Sequence, residues 1–100
     1  MKGARFHPEA RAELLAAVRF YQQESEGLGR AMSGEVRSAL LRIAEFPESG
    51  SPDVTRDDLR RVFLDRFPFT LVYRVRSDVV EVLAVMHQRQ LPDYWRSRVE

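Results

Sequence analysis

The sequence predicts one α+β domain over residues 1–100: an N-terminal strand, an antiparallel helix pair packed on one face of an antiparallel β-sheet, and a short C-terminal helix or turn. Three observations predict it. Apolar residues recur at helical spacing through the first half of the chain. From Leu59 onward the apolar period shortens to that of a strand. One hairpin register then satisfies both faces of the two clearest strands.

The opening ARFHPEA reads as a short strand that breaks into a helix. Pro8 suits the first helical position, where a missing N–H does no harm, and Glu9 favours the positive helix end. Ala10, Leu14, Val18 and Tyr21 form one face, widened by Leu15, while Arg11, Glu13 and Arg19 fall largely off it. The glycines of ESEGLG punctuate the end of this helix. A second helix follows in RAMSGEVRSALLRIAEF, where Met32, Val36, Ala39, Leu40 and Ile43 share a face that Phe46 extends. Gly34 inside it costs about 1 kcal/mol against alanine, which marks a place of close approach to the first helix. The short link implies an antiparallel pair. Pro47 ends the second helix, and PESGSPD reads as an exposed loop.

In LRRVFLDRF, Val62 and Leu64 fall on one side of a strand, Arg61 and Phe63 on the other. In FPFTLVYRV, Phe69, Leu71, Tyr73 and Val75 alternate with Thr70, Val72, Arg74 and Arg76, and the helix pair should cover the first set. The next strand is VVEVLAVMH. With Ser77 and Asp78 at the turn centre, Val75 faces Val80, Tyr73 faces Val82, Leu71 faces Ala84 and Phe69 faces Met86. The same register sets Arg74 opposite Glu81, a favourable cross-strand charge pair. Ser-Asp is not a preferred primed-turn pair, so a loop longer by two residues is the alternative.

Composition narrows the function classes. A hydrophobic share of 44% supplies one core, and no apolar run approaches the span of a bilayer. The N-terminus lacks the apolar core of a secretory signal, so the expected location is cytoplasmic, with no membrane partner. Absence of cysteine removes disulfides and thiolate metal sites, and His7 and His87 stand too far apart for a recognisable zinc spacing. There is no phosphate-cradling glycine loop with lysine and no nucleophile elbow. No metal and no cofactor are expected. Net charge is +1 and Lys2 is the sole lysine, an arginine bias that the base composition of the coding DNA would also produce.

Several stretches carry a resemblance: FHPEARAEL opening the first helix, GLG between the helices, FPESG after the second, then RRVFLDRFPFTLVYRV and VLAVMHQRQLPDYW. Together they resemble the ParE/RelE superfamily of toxins from bacterial type II toxin–antitoxin systems, the ParE branch (plasmid stabilisation proteins) especially. The resemblance covers nearly the whole chain. Its most specific part is RFPFTLVYRV combined with the later PDYW. It departs at Gln90, where ParE-like sequences often carry arginine, although Arg89 stands beside it. The resemblance implies a toxin neutralised by a cognate, ParD-like antitoxin encoded next to it. ParE-type members are associated with poisoning DNA gyrase, and RelE-type members with cutting mRNA on the ribosome. One fold supports both activities.

Metal-free RNA cleavage needs a base for the 2′-hydroxyl, cations on the phosphate and an acid for the leaving oxygen. The resemblance to RelE-like nucleases would fill those places with Arg61, Arg74, His87, Arg89 and Tyr94. By the hairpin register, Arg74 and His87 share the face opposite the helices. Each residue also has a structural reading: His87 ends a strand, Arg74 pairs with Glu81, and Tyr94 with Trp95 makes an amphipathic aromatic latch. No lysine cluster accompanies them, so the chain reads as a binding protein more than an enzyme.

A binding face is expected where Val72, Leu83 and Val85 look away from the helices, because a sheet covered on one side normally turns polar on the other. With Arg60, Arg61, Tyr94 and Trp95 they make up the expected partner-binding set, open to an antitoxin helix or extended arm. The alternative occupant is the chain's own tail, LPDYWRSRV. Three functions follow: a ParE-like toxin engaging DNA gyrase, a RelE-like ribosome-dependent mRNA endoribonuclease, and a degenerate, non-toxic antitoxin-binding protein.

Overall fold

The computed structural model describes residues 3–99. Its elements are β1 (Gly3–Phe6), α1 (Pro8–Glu24), α2 (Leu28–Glu45), β2 (Ser51–Pro52), β3 (Arg60–Phe63), β4 (Phe69–Arg76), β5 (Val79–His87) and a 3₁₀ turn, Arg96–Val99. The sheet order is β1-β5-β4-β3-β2, with β1 parallel to β5 and every other pair antiparallel. The fold class is the one the sequence predicts, with a parallel edge strand that makes the sheet mixed. No helix is long and apolar enough to cross a membrane among the described residues.

Helix α1 starts as its sequence dictates. Pro8 takes the first position, and His7 caps it by accepting the Glu9 N–H on Nδ1 at 3.1 Å. Residues 25–27 turn the chain, and Gly27, at φ 90°, opens α2 in a left-handed conformation that suits glycine. The close approach between the helices falls at Gly29, where an added Cβ would meet the Val18 carbonyl at 2.7 Å. Gly34, the position expected from sequence, has nothing within 4 Å. Leu15 and Phe46, also expected on the buried faces, are exposed, Phe46 because α2 ends at Glu45 and leaves it as the non-helical C-cap.

The core has two layers. On the helix side, Ala10, Ala17, Met32 and Val36 pack on Leu71, Val82 and Val85, and Ile43 packs on Tyr73 and Val80. On the other side, Leu59, Val72, Leu83, Ala84 and Met86 lie beneath Trp95 and Val99 of the C-terminal tail. The tail therefore covers the apolar back of the sheet.

The hairpin departs from the expected register halfway along. Val75 pairs with Val80, Arg74 with Glu81 and Tyr73 with Val82, as the sequence reading has it. Then Leu83 bulges out and the remaining pairs shift by one: Val72–Ala84, Leu71–Val85, Thr70–Met86 and Phe69–His87. A bulge inserts one unpaired residue and inverts the parity beyond it. Val85 and His87 thus turn toward the helices, so Arg74 and His87 do not share a face. The turn itself has two residues, with Ser77 and Asp78 at φ 50° and 65°, the geometry of a primed hairpin turn. PESGSPD is not a free loop either: Ser51 and Pro52 pair with Arg61 and Arg60, and Asp53 is buried.

Candidate functional site

Three of the residues singled out in the sequence, Arg61, Tyr94 and Trp95, gather around the returning tail. Trp95 is fully buried there, and its indole N–H donates to the Pro92 carbonyl at 2.9 Å. The Arg61 and Arg96 guanidiniums lie over its ring, at 5.6 and 4.6 Å from the centroid. Both also reach Asp53, Arg96 at 2.9 Å and Arg61 at 3.4 Å. Asp53 further accepts the Thr55 hydroxyl and the backbone N–H groups of Thr55 and Arg56. The Arg96 hydrogen bonds, joined by those of Thr55, outweigh burial and hold this carboxyl well below its ordinary range.

A second knot ties the tail to α1. The Glu13 carboxylate accepts the Tyr94 hydroxyl at 2.7 Å and Arg98 at 2.8 Å. It also accepts the Val85 N–H at 2.9 Å, while Arg98 donates to the Leu83 carbonyl at 3.0 Å. β1 pairs with β5 only as far as Val82, so these two side chains close the open edge that follows. Burial, reinforced by the Glu13 hydrogen bond and charge, pushes the Tyr94 phenol above its ordinary value. It remains a neutral donor.

The other expected residues are placed separately. Arg74 is buried, bonded to Glu81 at 2.7 Å and to the Val99 carbonyl at 3.4 Å. Arg60 braces the loop after α2, donating to the carbonyls of Gly50 and Glu48. His87 sets its ring edge-on to Phe69, accepts the Arg89 N–H on Nδ1 at 3.0 Å, and donates its own backbone N–H to Gln90 at 2.8 Å. Gln90 thus supplies an acceptor that arginine lacks. The Arg89 side chain is exposed. Phe69 pairs with His87 and Arg74 with Glu81, so Arg74 and His87 lie roughly 16 Å apart along the sheet at ~3.3 Å per residue, on opposite faces.

The five candidate nuclease residues are therefore not one cluster. Arg61, Arg74 and Tyr94 each already meet a carboxylate. Of the expected partner-binding set, Val72 and Leu83 are buried beneath the tail, Trp95 is part of that cover, and Val85 lies in the helix-side core. Glu13, Asp53, Arg96 and Arg98, which organise the site, were not among the expected residues. Only Asp53 carries a local signal, an aspartate with threonine two positions on, the pattern of a side-chain-stabilised turn. Among the described residues no three His, Asp or Glu side chains converge as metal ligands.

The chain matches a known family along most of its length. The model of "ParE toxin of type II toxin-antitoxin system, parDE" matches residues 4–92. Among solved structures, the chain is similar to the chromosomal ParDE TA system from P. aeruginosa, at 16% identity and a TM-score of 0.59, covering 87% of this chain and 96% of that one. It is also similar to the isolated E. coli RelE toxin, at 20% identity and a TM-score of 0.67, covering 97% and 95%. At these identities the likenesses show a shared fold. A comparison with curated proteins finds no match. The family match runs from β1 to the turn that launches the tail, and the chain belongs to the ParE toxin family of type II toxin–antitoxin systems.

Proposed function

We propose that this chain is the growth-inhibiting toxin of its system, acting on DNA gyrase and held inactive by a ParD-like antitoxin. The observation that carries the choice of target is the commitment of Arg61, Arg74 and Tyr94 to internal carboxylates. Phosphodiester cleavage needs cations and an acid–base pair aimed at one phosphate. Here those cations are neutralised, and His87 faces the helix side. Binding chemistry fits such a surface better than hydrolysis.

The second reading is a ribosome-dependent mRNA endoribonuclease, favoured by the likeness to the RelE toxin along 97% of the chain. A third is an antitoxin-binding protein without toxicity. Induced expression without antitoxin separates all three. Gyrase engagement predicts DNA-damage signalling and altered plasmid supercoiling. Codon-phased RNA ends soon after induction support the nuclease instead, and normal growth with abundant folded protein supports the third. The proposed function also requires a small antitoxin-like reading frame beside this one.

A further inference from the structure

A groove of about 310 Å³ opens beside β1, where α1 begins and the tail ends. That volume lies within the range of small-molecule sites. Its charged lining is Arg5, Arg74, Arg76, Arg98 and Glu81, with His7 at the rim, and Asp58, Glu9 and Glu13 reach two of these arginines from outside the lining. Arg74 and Arg98, each 7% exposed, are neutralised by carboxylates, Arg74 by Glu81 and Asp58 and Arg98 by Glu13 and Glu9, and form the floor of the groove. The two outer arginines are less engaged. Arg5 makes one long contact with Glu81, at 3.8 Å, and its side chain is 70% exposed. Arg76 is exposed and forms no ion pair among the described residues.

His7 adds a donor. Its Nδ1 accepts the Glu9 N–H, so the neutral ring carries its proton on Nε2. The first turn of α1 lies alongside, but Pro8 has no N–H, His7 takes the Glu9 N–H and the Glu9 carboxylate answers the helix dipole, so side chains supply the donors.

We propose that this groove is a phosphate-binding site, taking inorganic phosphate or the phosphate of a small nucleotide. Arg5 comes from β1, Arg76 from β4 and His7 from the cap of α1, so donors approach one space from three directions. One guanidinium fork already satisfies a planar carboxylate, whereas a tetrahedral phosphate offers oxygens to several donors at once. Phe6, Pro8 and Leu83 give the groove an apolar wall that suits a nucleotide ring.

The test is an amide-shift titration of the full chain with inorganic phosphate, adenosine monophosphate and triglutamate. It is independent of the toxin reading, because it measures binding by the chain alone. Saturable shifts at Arg5, His7 and Arg76 with phosphate are expected. Tighter binding of the monophosphate identifies a nucleotide as the source, and equal binding identifies free phosphate. The Arg5→Gln/Arg76→Gln variant, altered only at exposed side chains, should bind about tenfold or more weakly with an otherwise unchanged spectrum, while Arg37→Gln binds normally. The proposal is overturned by no saturation up to ~20 mM phosphate, by undiminished binding in the double variant, or by triglutamate binding as tightly as phosphate.

Discussion

The Glu13 carboxylate and the Arg98 guanidinium, separated by 85 positions in the chain, meet at 2.8 Å and tie the first helix to the tail. The same pair closes the Val85 N–H and the Leu83 carbonyl at the open edge of β5. Removing one member leaves the other charge in a site where Glu13 and Arg98 are only 19% and 7% exposed. Glu13→Gln should therefore cost about 3 kcal/mol, and Tyr94→Phe, which removes one donor to the same carboxylate, about 1 kcal/mol. Urea unfolding checks both. The double variant should lose less than the sum, because the two residues are donor and acceptor of one hydrogen bond.

Asp53 sets an acid limit on stability. Hydrogen bonds from Arg96, aided by Thr55, hold its carboxyl well below the ordinary value of 3.8. The unfolded chain therefore takes up this proton at a higher pH than the folded one. The stabilisation is fully present above the ordinary value and is lost as pH falls through the lower, folded value. Unfolding midpoints should drop below about pH 4, and Asp53→Asn should flatten that dependence while costing about 2 kcal/mol at neutral pH.

Two glycines in α2 should respond in opposite directions. A Cβ at Gly29 meets the Val18 carbonyl at 2.7 Å and Gln22 Cβ at 3.0 Å, so Gly29→Ala must push the helices apart, at about 1–3 kcal/mol. Gly34 is open, and Gly34→Ala should stabilise by up to about 1 kcal/mol through helix propensity alone. Thermal melts of the two variants compare them directly.

The helix pair and the start of the hairpin are legible in the sequence because one-sided burial imprints a period on it. Phe69, Leu71, Tyr73 and Val75 alternate with Thr70, Val72, Arg74 and Arg76, and the first set does face the helices. The bulge at Leu83 leaves no such imprint. Val82, Leu83, Ala84 and Val85 are apolar in succession because tail and helices bury both faces, and a continuous apolar run carries no parity to show an extra residue. That single residue moves Val85 and His87 to the helix side. The candidate site is legible only in part, through Arg61, Tyr94 and Trp95. Glu13 reads as a solvent-facing helical carboxylate because Tyr94 and Arg98 are distant in sequence, and nothing local points to them.

His87 and Tyr94 test the choice between scaffold and catalyst. His87 packs on Phe69 and Tyr94 donates to Glu13, so both have structural work where they stand. Growth inhibition should survive Tyr94→Phe, and His87→Ala should lower stability by about 1 kcal/mol as its main effect. Loss of toxicity in both variants, with unchanged melting, would instead assign the pair to catalysis.

The most direct measurement is a supercoiling assay in which the purified chain is added to DNA gyrase, with ribosomes programmed with mRNA run in parallel. The expected result is inhibited supercoiling or trapped cleaved DNA, relieved by the cognate antitoxin, with the mRNA left intact. Unimpaired gyrase together with mRNA cut on the ribosome would contradict the proposed target.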